Sequence, residues 1–335
     1  MKPLTRIVTP TIVALLLGTA ASWTLAQSTS TGAVQAYPTR PIRIIIPYPP
    51  GGTSDILARL IGSKINESWK QPVIADSRPG ASGNIGLELA ARATPDGHTF
   101  VLTDLGNAVI SSILFTKLPF DVLKDFAPVT NVSYSPSMLM TNPKIPVTTT
   151  EELIAYARAR PGKLNYPTSL GSAVHLAGLG FAQRAGIDWV YVPTKGGASS
   201  VAATMAGEGD ALFLGMLQSL PHVNSGRLKL IAISSEKRIP SLPKVPTVSE
   251  TFPGFVAGSS QGILAPARTP PELVAKVNAE IVRILKLPDV IAFLNSQGTI
   301  PIGNSPQETR KFLADEKVRW TKVVKDSGFK LEQGG

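Results

Sequence analysis

Short apolar runs recur along nearly the whole chain, each followed by a glycine- or proline-rich loop and then by a stretch of helical spacing. This alternation constrains the fold most, because strand–loop–helix units assemble into layered α/β sheets. Ile42–Ile46 reads as a buried strand. Pro47-Tyr48-Pro49-Pro50-Gly51-Gly52 has to be a loop, since proline and glycine break both regular structures. Thr53 or Ser54 is expected to cap the next helix, with Asp55 well placed against its dipole. Ile56, Leu57, Leu60, Ile61 and Ile65 give that helix one buried face. Further strands are predicted at 73–75, 99–103, 164–167, 189–192, 210–214 and 228–234. Helices are predicted at 87–93, from a Ser172 cap to Gly186, at 199–206, in the segment closed by 221–226, and in the long runs 271–286 and 308–327. The whole reads as two doubly wound α/β lobes with C-terminal helices, joined by two crossing strands near 131–142 and 255–262. The first lobe is assigned to 37–135 and 258–335 and the second to 136–257.

The N-terminal segment stands apart from this pattern. Lys2 and Arg6 precede an apolar stretch centred on Val13, Leu15, Leu16 and Leu17, and Ala26 offers a small-residue cleavage point. That is the build of a secretory signal peptide over 1–26. Thr9, Pro10, Thr11 and Gly18 interrupt a run already shorter than the roughly 18–20 apolar residues a membrane span needs. The chain has no cysteine, hence no disulfide, no thiol nucleophile and no lipid-bearing N-terminal Cys. A freely diffusing periplasmic protein, held together by core burial alone, is the expectation.

Charge and motifs exclude several function classes. The formal charge is +10, but the basic residues are scattered and form no run, so a general field that speeds the encounter with anionic solutes fits better than nucleic-acid binding. His98, His175 and His222 show no metal-ligand spacing, and His98, following Asp96-Gly97 at a turn, is expected to be solvated. Gly80, Gly83 and Gly86 do not have dinucleotide-binding spacing, and no P-loop occurs. No cofactor is expected. Gly258-Ser259-Ser260-Gln261-Gly262 fits Gly-x-Ser-x-Gly, yet no histidine follows Ser260, and Ile263-Leu264-Ala265-Pro266 continues as extended chain rather than entering a helix. A serine hydrolase using Ser260 is therefore a remote alternative.

What remains is a set of glycine-rich loops, each at a helix start. A helix start leaves backbone N–H groups unpaired and carries partial positive charge, so it attracts anions. Pro49-Pro50-Gly51-Gly52-Thr53 and Thr168-Ser169-Leu170-Gly171-Ser172 both fit, with the Ser172 hydroxyl and the His175 ring as added donors. A single such loop reads first as an ordinary capped turn. Two or three on one chain favour an anion site, although sequence does not show that they converge.

These residues also carry a resemblance. Ile44-Ile45-Ile46-Pro47-Tyr48-Pro49-Pro50-Gly51-Gly52 with Asp55, Arg78-Pro79-Gly80-Ala81-Ser82-Gly83-Asn84-Ile85-Gly86, Pro95-Asp96-Gly97, Leu118-Pro119-Phe120-Asp121, Gly171-Ser172 with His175, Lys195-Gly196-Gly197 and Leu264-Ala265-Pro266 closely resemble the substrate-binding proteins of tripartite tricarboxylate transporters, the Bordetella uptake gene family. The match covers essentially the whole processed chain. It implies a two-lobed periplasmic binding fold, a small carboxylate ligand, and integral-membrane transporter subunits as partners, with no enzymatic activity. By position, the resemblance carries the ligand grip to Pro50, Gly51, Gly52 and Thr53 in the first lobe and Thr168, Gly171, Ser172 and His175 in the second. Tyr48, Lys195 and Gly197 complete the candidate set. Where the family often has Asp after the strand that ends in Phe213, this chain has Leu214 and Gly215, which disfavours an amino-acid ligand. Ser111-Ser112, Thr194 and Ser260-Gln261 also depart from the family's usual residues. The expectation is a monomeric periplasmic solute-binding protein. A carboxylate sensor docking on a membrane histidine kinase shares the same pocket and is the alternative.

Overall fold

The computed structural model describes residues 37–328, apart from 116 and 240. The expected signal segment, 1–26, lies outside the described residues. The chain begins with β1 (Ile42–Ile46), α1 (Thr53–Trp69), β2 (Val73–Ser77), α2 (Asn84–Ala91), β3 (Thr99–Asp104) and α3 (Leu105–Leu114). The 16-residue strand β4 (Phe126–Thr141) follows. Next come α4 (Thr150–Arg158), β5 (Leu164–Thr168), α5 (Ala173–Ala185), β6 (Trp189–Pro193), α6 (Gly197–Ala206), β7 (Ala211–Gly215), α7 (Met216–Asn224), β8 (Lys229–Ile233) and the short α8 (Val248–Thr251). The chain then returns through β9 (Gly258–Pro266) to α9 (Pro271–Leu285), α10 (Pro288–Ser296), β10 (Ile300–Pro301) and α11 (Pro306–Ser327).

The sheet is organised around β4. Its first part pairs antiparallel with β9 as far as Pro136 opposite Gly258. Its last residues, from Ser137 to Thr141, have β7 antiparallel to them, and β8 pairs antiparallel with Met138–Thr141. β9 continues the first sheet into β3, β1 and β2, with β1 parallel to both β2 and β3. β5 and β6 form a separate parallel pair. The predicted α/β alternation is therefore present, and the crossings near 131–142 and 255–262 fall on β4 and on the approach to β9. These crossings bring antiparallel pairs into an otherwise parallel arrangement. At the switch, Ser137 N–H donates to Ala257 O (3.0 Å), Ala257 N–H to Ser234 O (2.9 Å), and Ser234 N–H to Ser137 O (2.8 Å).

Each part has its own apolar centre. One gathers Ile45, Val101, Leu105, Phe126, Leu264 and Trp320. Another gathers Leu139, Tyr166, Phe181, Trp189, Phe213 and Phe255, with the Phe181 ring stacked on Trp189 at 5.7 Å. A third, around Met138, Met140, Leu212 and Leu214, covers the other face of the second sheet. Each such side chain contributes about 1.5–3 kcal/mol on burial. The first centre also includes Ala173 and Leu176, from the first turn of α5, so the two lobes meet through apolar as well as polar contacts.

Local chemistry fixes most helix ends. α5 starts at the Ser172 cap and stops at left-handed Gly186, as its sequence predicts. α4 and α11 begin with capping boxes, Thr149–Glu152 and Ser305–Glu308. Two expectations are corrected. The cap of α1 is Gly52, not Thr53 or Ser54, and no side chain caps that helix. His98 is buried, because its turn is folded inward by hydrogen bonds to Asp96, and is not solvated.

Candidate functional site

Between the two lobes lies a cavity of about 70 Å³ onto which several helix starts open. From the first lobe come Gly52, Thr53 and Ser54 of α1, with Asp104 and Asn107 at the head of α3. From the second come Ser172, Ala173 and Val174 of α5 and Gly196, Gly197 and Ala198 of α6. Leu214 and Gly215 of β7, Gln218 of α7, Gly258, Ser259 and Gln261 of β9, and Tyr48, Pro49 and Ser169 complete the walls.

The start of α1 is open. Gly51 N–H donates to Asp55 Oδ2 (2.9 Å), and the opposite carboxylate oxygen takes Arg59 Nε (2.9 Å). Among the described residues, the backbone N–H groups of Thr53 and Ser54 have no partner, because Gly52 has no side chain to cap them. A Cβ at Gly52 would make only ordinary contacts, 3.4 Å from Gln218 Oε1 and 3.5 Å from Pro49 O, so what glycine contributes there is the missing cap. The start of α6 is similarly bare: Gly196 offers no cap, and Gly197 and Ala198 N–H groups have no partner among the described residues. A Cβ on Gly196 would come within 3.0 Å of Pro49 Cδ, so glycine permits this close approach of the second lobe to the first.

The start of α5 is largely occupied. Ser172 Oγ accepts from His175 N (3.3 Å), and Ala173 N–H donates across the cleft to Asn107 Oδ1 (2.7 Å). Val174 N–H remains without a partner among the described residues. A second crossing bond runs from Ser82 Oγ to Leu170 O (2.8 Å). His175 lies beneath the loop, its Nδ1 accepting Gly171 N–H (3.2 Å) and its ring edge-on to Tyr191 at 4.8 Å. Burial pulls its pKa down to about 4, so the ring is neutral at physiological pH and acts as an acceptor here.

The first-lobe wall carries a buried carboxylate. Asp104 caps α3 through Asn107 N (2.8 Å), and its other oxygen accepts Ser259 Oγ (2.5 Å) and Gln261 Nε2 (3.3 Å). Gln261 Oε1 in turn accepts Ser54 Oγ (2.6 Å). Burial pushes the Asp104 carboxyl up to about 6, with the Ser259 and Asn107 bonds opposing the shift and Glu316 adding to it. Tyr48 is pushed up by burial and by Asp104, so its hydroxyl stays protonated, within 3.2 Å of Thr103 Oγ1.

Of the predicted site residues, the cavity gathers Tyr48, Gly52, Thr53, Ser172 and Gly197. Pro50, Gly51 and Lys195 face solvent or the loop exterior, and Thr168, Gly171 and His175 form the layer behind the second loop. Sequence reasoning missed Asp104, Asn107, Gln218, Ser259 and Gln261. The strand 99–103 was ended one residue before Asp104, and α3 was not recognised. Gly258–Gly262 reads from sequence as a failed nucleophile motif at a crossing, whereas strand alternation aims Ser259 and Gln261 at one face and Ser260 away from it.

Comparison with known proteins gives this arrangement its relatives. Residues 57–329 match the Tripartite tricarboxylate transporter family receptor. The chain is 36% identical over 303 residues to Protein BugT of Bordetella pertussis, covering 90% of this chain and 93% of that one. Among solved structures, a Rhodopseudomonas palustris protein with adipate is 33% identical with a TM-score of 0.85, covering 87% of this chain and 98% of that one. MatC of the same organism, with bound malate, is 30% identical with a TM-score of 0.81, covering 86% and 100%. The periplasmic binding protein BugD has a TM-score of 0.84 at 26% identity, covering 88% and 99%. The two lobes and crossing strands are thus the periplasmic binding-protein fold, and the chain belongs to the tripartite tricarboxylate transporter receptor family.

Proposed function

We propose that this protein is a periplasmic solute-binding receptor that captures a small carboxylate between its lobes and delivers it to a tripartite tricarboxylate-type membrane transporter, without performing catalysis. One observation carries the reading: unpaired backbone N–H groups at the starts of α1, α5 and α6, contributed by both lobes, line one cavity. Backbone N–H groups at helix starts suit a carboxylate because they supply hydrogen bonds and positive potential together. Hydrogen bonds to a charged group contribute about 1.5–3 kcal/mol each. Three or four reach the roughly 8 kcal/mol of micromolar binding, before immobilisation costs. The adipate and malate held by the two Rhodopseudomonas palustris relatives support a carboxylate as the ligand class.

The remaining parts of the reading follow from the same frame. The switch of β4 pairing at Pro136 and Ser137 supports lobes of 37–135 with 258–335, and of 136–257. Tyr48, Gly52, Thr53, Ser172 and Gly197 contact the ligand or present its donors, and His175 holds the second loop in shape. Export through a signal peptide at 1–26 delivers a monomer to the periplasm.

Calorimetric titration of the processed protein with a panel of small carboxylates tests the proposal. Micromolar binding of at least one carboxylate, absent for the corresponding neutral amide, is the expected result. A panel in which amides bind as well as acids would exclude an anion site.

A further inference from the structure

A carboxylate held at the helix starts uses backbone donors and leaves the cavity's side chains to the rest of the ligand. Most of those side chains are already engaged: Ser54 with Gln261, Ser259 with Asp104, and Asn107 with Ala173. Gln218, on the first turn of α7, is different. Its Oε1 is buried and has no hydrogen-bond partner among the described residues. Its amide sits in a slot beside two glycines: a Cβ on Gly197 would lie 2.5 Å from Nε2 and could not be held without a shift, and a Cβ on Gly52 would touch Oε1 at 3.4 Å. The slot thus lies between the open starts of α1 and α6, one from each lobe.

The charge of the walls narrows what can meet that amide. The lining residues include no lysine, arginine or histidine, and Asp104 is their one carboxylate. Its oxygens are taken by Asn107 N, Ser259 and Gln261, so it offers little to a ligand ammonium group. A second ligand carboxylate has no proton to donate to Gln218 Oε1, so it would leave that acceptor unsatisfied, and it would add a like charge beside Asp104. A hydroxyl or amide on the ligand satisfies the Gln218 amide whichever way it is turned, because it both donates and accepts.

Building on the carboxylate reading above, we propose that the cavity takes a monocarboxylate bearing one uncharged hydrogen-bonding group, and that Gln218 binds that group. Leu214, Ala198 and Val174 supply the apolar wall for the carbon frame between the two ends.

Calorimetry on the processed chain with two matched triplets tests this: 6-hydroxyhexanoate, hexanoate and adipate, then 4-hydroxybenzoate, benzoate and terephthalate. In at least one triplet the hydroxy acid should bind about tenfold more tightly than either companion. In Gln218→Leu it should fall to the affinity of the plain acid, whose own affinity stays within about threefold. Gln218→Met, close to glutamine in volume, replaces the leucine variant if that one does not fold. The proposal is overturned if a dicarboxylate binds most tightly, if hydroxy and plain acids bind alike, or if the hydroxy acid keeps its advantage without Gln218. All three results leave carboxylate binding intact. Failure of every triplet member to bind also overturns the proposal, while the carboxylate reading stands or falls on the wider panel described above.

Discussion

The starts of α1 and α5 face one cavity with similar sequence signatures, glycine followed by small hydroxyl residues, yet they are built in opposite ways. α1 has no side-chain cap, and its first N–H groups are open. α5 is capped from within by Ser172 and from the opposite lobe by Asn107. A helix start therefore serves a ligand only to the extent that nothing else serves it. In this protein the first lobe's loop offers donors, and the second lobe's loop gives Ala173 N–H to the opposite lobe and His175 N–H to its own cap.

The largest test of that contrast is Gly52→Leu. The side chain would enter the slot beside Gln218 Oε1 and Pro49 O. A leucine there would screen the open Thr53 and Ser54 N–H groups, and losing even one hydrogen bond to a charged ligand, about 1.5–3 kcal/mol, should lower affinity at least tenfold in calorimetry while circular dichroism stays unchanged. Asn107→Ala comes next. It leaves Ala173 N–H, buried at the lobe contact, without its acceptor, and the denaturation midpoint should drop by the equivalent of about 1–3 kcal/mol. If that variant is as stable as wild type, the cross-lobe bond is not what closes the second start. Ser172→Ala should cost about 1 kcal/mol of stability, as cap losses do, and weaken the ligand only modestly.

The smallest net effect in the unaltered protein is on pH dependence, where the two sides again oppose each other. His175 has a folded pKa near 4, below its ordinary 6.5, so the stability it contributes is full above about 6.5 and is lost as pH falls toward 4. Asp104 has a folded pKa near 6, above its ordinary 3.8, so the cost of its ionisation is absent below about 3.8 and complete above about 6. The two slopes oppose one another between pH 4 and 6. His175→Gln should flatten or reverse the acid loss of stability, and Asp104→Asn should steepen it. Parallel melting curves for both variants across that range would show that neither group titrates as described.

The comparison also shows which parts of the site could be read from sequence. The glycine loops, the Ser172 cap, the Gly186 stop and most strands follow from local rules, because proline, glycine and apolar spacing act over a few residues. The two crossings were placed, but β4 was not recognised as one strand, since its almost uniformly buried residues lack the alternation of a half-exposed strand. α3 was missed for a related reason: most of its residues are buried. The misassigned cap of α1 arose because Thr53 and Ser54 both suit an N-cap, and only the tertiary pairing of Ser54 with Gln261 shows that its hydroxyl is used elsewhere. Asp104, Asn107 and Gln218 join the cavity through long-range pairing of strands and helices, which no local pattern encodes.

The unbroken run of β4 through both sheets has a mechanical consequence. No slack linker joins the lobes at this strand; the same pleated ribbon belongs to both, and Ser137, Ser234 and Ala257 hold its neighbours at the switch. Any movement of one lobe against the other therefore has to bend or twist this ribbon, as a leaf spring is bent, instead of swinging on a loose pin.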